Sequence, residues 1–136
     1  MLVDADNLDV GRLRLVVDEL AACLAEGYPV RLHVAGHPTR LASLPWPGAA
    51  ELLPAHGWQR ADAVLAAAYV ADDEPLVLVT GDGDFALLAD RHPGAVLVVG
   101  VAGATSGRLR NRAAVVDPVH DGPERLRSWL RAGNAS

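Results

Sequence analysis

Short apolar segments alternate with helical segments along the whole chain, and this alternation limits the folds open to it. The runs at residues 76–80 and 95–101 are continuously apolar, as expected of strands covered on both faces. In residues 9–26 the apolar positions instead recur at helical spacing. Strands are predicted at residues 2–4, 30–34, 76–80, 95–101 and 114–116, and helices at residues 9–26, 49–56, 61–71, 85–91 and 123–131. Strands separated by helices predict an α/β fold, a three-layer α/β/α sandwich around a mostly parallel central sheet.

The chain has the size of one domain. Its 136 residues are enough to bury a substantial core, and a hydrophobic content of 51% argues against disorder. Residues 36–48 contain three prolines and two glycines and are predicted to form a loop. No internal repeat or interdomain linker is evident, so residues 1–132 are predicted to form a single domain and residues 133–136 a frayed tail.

Charge and cysteine content narrow the function classes. The net charge of −5 argues against a general nucleic-acid coat protein, because phosphate binding draws on excess positive charge. The 12 basic residues are all arginine, which excludes any mechanism that needs a lysine. Cys23 is the only cysteine, so no intrachain disulfide is possible. Without an evident signal peptide or an apolar run of about 20 residues, the expectation is a soluble cytoplasmic protein with no membrane partner.

Acidic residues follow the predicted strands. Asp4 ends the first strand, Asp82 and Asp84 follow the strand at residues 76–80, and Asp62 opens the helix at residues 61–71. In parallel sheets, ligands bind beyond the carboxyl ends of the strands. Gathering carboxylates there raises some of their pKa values and costs stability unless a cation compensates. If the two strands are neighbours, the sequence therefore predicts a site for a divalent cation.

Other interpretations of these acids exist. Residues 81–86 match the G-x-G-x-x-A form of a dinucleotide fingerprint, but two carboxylates would then face a pyrophosphate. Asp82 and Asp84 also suit a purely structural role as turn and N-cap residues.

The pair Asp4 and Asp6 is similar to the paired aspartates of haloacid-dehalogenase phosphatases, and early acids also occur in phosphoacceptor receiver domains. The phosphatases add a lysine or arginine and usually a cap domain, for which this chain is short. Receiver domains need a late lysine, which is absent here. A P-loop is excluded because no Gly-Lys pair exists.

Two motifs carry a family resemblance. Residues 2–8 (LVDADNL) have an aspartate at the strand end and an asparagine three residues later, and residues 79–85 (VTGDGDF) combine a hydroxyl residue, Gly, Asp, Gly, Asp and Phe. They resemble the opening and second signatures of NYN domains, which belong to the PIN-like nuclease group. Asp62, in residues 61–65, matches the acidic position of the middle motif. A looser tail follows at residues 98–100, Ser106, Leu109 and Asp117, so the resemblance covers essentially the whole chain.

The resemblance implies a PIN-like, Rossmann-like topology and a metal-dependent endoribonuclease. Such an enzyme would hydrolyse phosphodiester bonds of single-stranded RNA and leave a 5′-phosphate. Asp4, Asp82 and Asp84 would hold Mg²⁺ or Mn²⁺, and Asp62 would complete the catalytic set directly or through water.

Two departures from the family pattern support an alternative function. Gln59-Arg60-Ala61 stands where the middle motif usually has Lys-Gly, and alanines at residues 66–68 occupy the stretch that often holds a further acid. The alternative is a catalytically degenerate PIN-like domain that binds RNA or a protein partner without cleaving it.

Further residues are candidates for substrate binding. They are Asn7, Thr80, Ser106, Arg108, Arg110 and Arg112, with Arg12 as a weaker candidate. Asn7 is equally suited to bind phosphate, to orient Asp4 or to cap a turn. For Thr80, a buried strand position is the simpler interpretation, and a hydrogen bond to a metal-binding carboxylate is the alternative. Arginines after a strand's carboxyl end can contact phosphates, although alternating arginines also suit a solvated segment. Trp58 is predicted to be a packing residue, and a homodimer or a regulatory protein partner is left open.

Overall fold

One parallel sheet organises the molecule. The computed structural model describes residues 1–56 and 60–132, and in these ranges it has six strands. They are β1 (Leu2–Asp4), β2 (His33–Gly36), β3 (Glu51–Pro54), β4 (Leu76–Val79), β5 (Val96–Val99) and β6 (Ala114–Val116). Their order in the sheet is β3-β2-β1-β4-β5-β6, and each neighbouring pair is parallel. The predicted α/β fold is confirmed, and this strand order is that of doubly wound Rossmann-type sheets.

Helices connect the strands. They are α1 (Val10–Ala25), α2 (Pro38–Ala42), α3 (Ala61–Ala68), α4 (Ala86–Arg91), α5 (Gly107–Arg110) and α6 (Glu124–Ala132), and a short 3-10 turn (Gly83–Phe85) precedes α4. The side chain of Asp9 caps the start of α1 by accepting the N–H of Arg12, and Gly27 ends the helix region with a φ of 90°. In the described part of the chain, none of the helices has both the length and the apolar character needed to cross a bilayer.

The helices form two layers because strand side chains alternate between the faces of the sheet. In β4, Val77 and Val79 pack in the core that contains α1 and α6. Leu76 and Leu78 pack in the opposite core, which contains residues of α3, α4 and α5. The predicted three-layer sandwich is thus confirmed.

β1 and β4 lie side by side at the centre of the sheet. The strands from β1 to β3 extend to one side of this pair, and the strands from β4 to β6 extend to the other, which makes this pair the switch point of the sheet. Leu2 and Val3 pair with Leu78 and Val79, so Asp4 and Thr80 leave the sheet at the same edge. Alternation puts Asp4 on the face of Leu2, and hence towards the layer of α3. Rossmann-type sheets bind their ligands at this switch point.

Several predicted boundaries were wrong. Residues 49–56 do not form a helix; they contain β3, an edge strand paired with β2 only, where Pro54 is tolerated. The predicted loop at residues 36–48 contains the short helix α2, with Pro38 in its first turn and the side chain of His37 as its cap. β2 begins at His33 rather than at residue 30. The predictions for Trp58, Gln59 and the tail at residues 133–136 lie outside the described residues.

A buried ion pair holds the carboxyl end of β6 to α1. The carboxylate of Asp117, which is 1% exposed, accepts two hydrogen bonds of 2.9 Å from the guanidinium of Arg12. It also accepts the backbone N–H groups of Ala102, Val119 and His120. These donors, Arg12 above all, hold the pKa of Asp117 well below its usual range. Arg12 is therefore engaged in the scaffold, although it was a weaker candidate for phosphate contact.

Replacing Asp117 with Asn should lower the free energy of unfolding by about 2–3 kcal/mol at pH 7, because the buried network then loses its negative charge and one of its two acceptor oxygens. A carboxylate with a lowered pKa stabilises the folded state above its unfolded pKa near 4 and loses that effect as the pH falls towards its folded pKa. The difference between D117N and the parent should therefore shrink below pH 4. Urea unfolding at several pH values measures both effects, and D18N, at an exposed position of α1, is the control.

Candidate functional site

Three aspartates converge beyond the carboxyl ends of β1 and β4. Asp62 lies in the first turn of α3, Asp82 caps the 3-10 turn after β4, and Asp84 lies within that turn. Each offers a carboxylate oxygen, and the three oxygens lie within 4.8 Å of one another. Their side chains are 14%, 23% and 49% exposed, so the group opens to solvent on the side of Asp84. Segments 20 residues apart thus supply one acidic site.

The guanidinium of Arg60 lies among these carboxylates. Its Nη2 is 3.0 Å from Oδ2 of Asp62, 3.2 Å from Oδ2 of Asp82 and 2.7 Å from Oδ2 of Asp84. Its Nε also donates to Oδ1 of Asp62 at 3.1 Å. One positive charge therefore offsets part of the repulsion among three negative ones.

Asp4 lies behind this group and is 4% exposed. Its pKa is raised to about 6, chiefly by burial and to a smaller extent by the nearby carboxylates of Asp6, Asp62 and Asp82, while a hydrogen bond from the backbone N–H of Asp6 opposes the rise. The hydroxyl of Thr80 donates to Asp4 at 3.5 Å and accepts the N–H of Asp82 at 3.1 Å. Both roles considered for Thr80 are therefore present: it is buried, and it bonds a carboxylate of the site.

Hydrogen bonds to Gly81 connect three loops at this edge of the sheet. The side-chain oxygen of Asn7 accepts the N–H of Gly81 at 2.6 Å, and the N–H of Ser106 donates to the Gly81 carbonyl at 3.1 Å. Asp9 rather than Asn7 caps α1. Asn7 and Ser106 thus position the loop that carries Asp82, and their contact with substrate stays a prediction.

Close packing at Gly83 brings α5 against the acidic turn. A Cβ at this position would lie 2.6 Å from Oγ of Ser106 and 2.9 Å from Nε of Arg108. The absence of a side chain therefore lets the start of α5, capped by Ser106, approach the aspartates.

The three candidate arginines of the segment that contains α5 differ in position. Arg108 reaches the acidic group, with Nη2 at 3.4 Å from Oδ1 of Asp84. Arg110 is exposed on the same short helix, whereas Arg112 pairs with Asp90 of α4 at 3.2 Å. The structure thus brings Arg108 to the aspartates, and the phosphate contacts of all three stay predictions.

The grouping differs in detail from the expected metal set of Asp4, Asp82 and Asp84. Asp62 joins Asp82 and Asp84 in the convergent group, whereas the buried Asp4 lies outside it. Asp82 also fills the turn-capping role considered for it, because its Oδ1 accepts the N–H of Asp84 at 3.0 Å. Asp6 instead bonds the N–H of His37, which gives it a structural role.

Sequence reasoning missed the role of Arg60. The residue was noted only as a departure from a Lys-Gly pattern. Its position two residues before Asp62, in the extended segment that leads into α3, was the available signal.

The donor set fits Mg²⁺ or Mn²⁺, since both prefer carboxylate oxygens. Oxygens on opposite sides of one Mg²⁺ lie at most about 4.2 Å apart, so the 4.8 Å spread requires only small side-chain rotations. The Arg60 nitrogen would have to leave for an ion to bind all three aspartates.

A separate cavity of about 130 Å³ lies at the amino ends of the strands, among residues that include Leu2, Tyr69, Leu76 and His92. Its lining contains none of the four aspartates, so it is not part of the acidic site.

No family model, curated protein or solved structure matches this chain. The site is therefore interpreted from its own geometry and chemistry.

Replacing Asp4 with Asn should stabilise the metal-free protein at pH 8 by about 2 kcal/mol, because a buried carboxylate with a raised pKa is ionised there at a cost. A raised folded pKa favours folding below the unfolded pKa near 4, and this contribution is lost as the pH rises through about 6. The gain from D4N should therefore vanish at pH 4. Chemical unfolding in EDTA measures it, with the exposed D73N as the control; a less stable D4N at pH 8 would contradict the prediction.

Proposed function

We propose that this chain is a metal-dependent endoribonuclease of the NYN, PIN-like kind that hydrolyses single-stranded RNA. The observation that carries the proposal is the convergence of Asp62, Asp82 and Asp84 at the switch point of a parallel sheet. The resemblance of the motifs around Asp4, Asp62 and Asp82 to NYN signatures supplies the reaction class.

In this proposal the aspartates hold Mg²⁺ or Mn²⁺, with Asp4 adding negative charge and an oxygen donor from behind. The ion would polarise the scissile phosphate and lower the pKa of an attacking water. Hydrogen bonds of Thr80 and Asn7 hold the loops that carry Asp4 and Asp82 in fixed positions relative to each other. The partly exposed Asp84 leaves one side of the group open to a phosphodiester.

The arginines of α5 support an RNA substrate. Arg108 and Arg110 are both exposed on α5, and Arg108 lies 3.4 Å from Asp84, so this helix brings positive charge to the acidic group of a chain whose net charge is −5. A single strand fits this interpretation because its backbone can bend to present one phosphate to the acids while neighbouring phosphates meet the arginines.

A second candidate is a degenerate PIN-like domain that binds RNA or a protein partner without cleavage. Two observations favour it. Arg60 pairs with all three aspartates of the group, and alanines at residues 66–68 occupy the stretch where the family often has a further acid.

Cleavage of a labelled single-stranded RNA should require Mn²⁺ or Mg²⁺ and should fall by about 100-fold or more in D82N, because the ion loses a ligand. The control is D73N, which removes an exposed acid in the connection before the amino end of β4. Gel analysis of the products measures rate and end chemistry, with a 5′-phosphate expected. Cleavage that survives both EDTA and D82N would rule the mechanism out, whereas binding without cleavage by the parent would select the degenerate alternative.

The double variant R108A/R110A should bind single-stranded RNA more weakly and with a flatter salt dependence. Each lost phosphate contact reduces the magnitude of the negative slope of log K against log salt by about 0.7, so the loss of two contacts should reduce it by about 1.4. R14A/R125A removes the same charge from exposed positions of α1 and α6, in the opposite helix layer, and is the matched control. Fluorescence anisotropy in EDTA at several salt concentrations gives both slopes, and equal slopes for the two double variants would discard the contact.

A further inference from the structure

Arg60 differs from an ordinary surface ion-pair residue because one of its nitrogens serves three acids. Nη2 lies within 3.2 Å of an oxygen from each of Asp62, Asp82 and Asp84. Three carboxylates converging on one cationic atom is the arrangement that a bound metal ion would also need. The guanidinium and a divalent cation therefore require the same space and the same oxygens.

We propose that Arg60 is a built-in competitor for the divalent cation, which holds the acidic site closed to metal until its guanidinium is displaced. This inference rests on the proposed function, since it concerns the regulation of that same site. An ion binding to the three aspartates must first break the contacts of Arg60, so the metal affinity is reduced by the stability of those contacts.

Displacement of Arg60 is sterically easy. Its side chain is 63% exposed, and its cap position at the start of α3 carries no side-chain capping bond. Within the described residues, the hydrogen bonds and ion pairs of the Arg60 guanidinium all go to these three aspartates. Once displaced, the guanidinium is free to pair with another anion, and a phosphodiester suits its planar fork of donors.

Arg108 offers a matched comparison. It is 67% exposed and also carries a positive charge at the group, but it contacts Asp84 alone, at 3.4 Å. Removing its charge changes the local electrostatics by the same unit without vacating the centre of the group. The difference in Mn²⁺ affinity between the Arg60 and Arg108 variants therefore measures the effect of occupying the metal position, separately from the general electrostatic effect of one positive charge.

The experiment is a titration of the full chain with Mn²⁺ alone, in which the dissociation constant is read from electron paramagnetic resonance of the free ion. R60Q should lower the dissociation constant by about tenfold or more relative to the parent, and R108Q by no more than about threefold. In EDTA, R60Q should also melt at a lower temperature than the parent, because the carboxylates lose their counter-charge. Mn²⁺ should then raise the melting temperature of R60Q more than that of the parent.

D82N separates failure of this inference from failure of the proposed function. Suppose that D82N abolishes Mn²⁺ binding, but R60Q binds Mn²⁺ no more tightly than the parent, or no more tightly than R108Q. That result overturns the inference about Arg60 and leaves the proposed function standing. Binding that D82N leaves unchanged, or no binding by parent and R60Q at millimolar Mn²⁺, overturns both.

Discussion

The parallel pairing of β1 with β4 is the constraint on which the acidic site depends. It aligns two strands that are far apart in sequence so that Asp4 and Thr80 leave the sheet at one edge. The helix that precedes β4 then brings Asp62 to the same edge, and the turn after β4 adds Asp82 and Asp84. A strand order that separated β1 from β4 would move Asp4 away from Thr80 and from the turn that carries Asp82.

The repulsion among these carboxylates is treated differently at the exposed and the buried sides of the site. At the exposed side, Arg60 spreads one positive charge over three aspartates. At the buried side, no cation from the described residues pairs with Asp4, and burial together with its acidic neighbours raises its pKa. Asp117, with Arg12 and three backbone donors, is the opposite case: a buried carboxylate whose charge is fully matched. Burial of Asp4 therefore costs stability whenever its carboxylate is ionised, whereas burial of Asp117 does not carry the same cost.

Much of this arrangement could be predicted from the chain itself, because continuous apolar runs identify buried parallel strands and ligands meet at their carboxyl ends. That reasoning led to Asp4, Asp82 and Asp84, and the resemblance to the middle NYN motif added Asp62. It could not assign which three converge, since this depends on the strand order and on where α3 begins. It missed β3 because four residues ending in Pro54 carry little strand signal, and only pairing with β2 makes them a strand. It missed Arg60 because an exposed arginine is unremarkable until its partners are known.

The two bonds to Gly81 also determine how this edge of the sheet can move. Both backbone polar groups of that residue are occupied, one by the loop after β1 and the other by the loop after β5. Displacing any one loop would leave a donor or acceptor of another without its partner, which costs free energy unless water replaces it. These three loops should consequently shift together, so that a ligand at this edge would meet a preformed surface rather than three independently mobile segments.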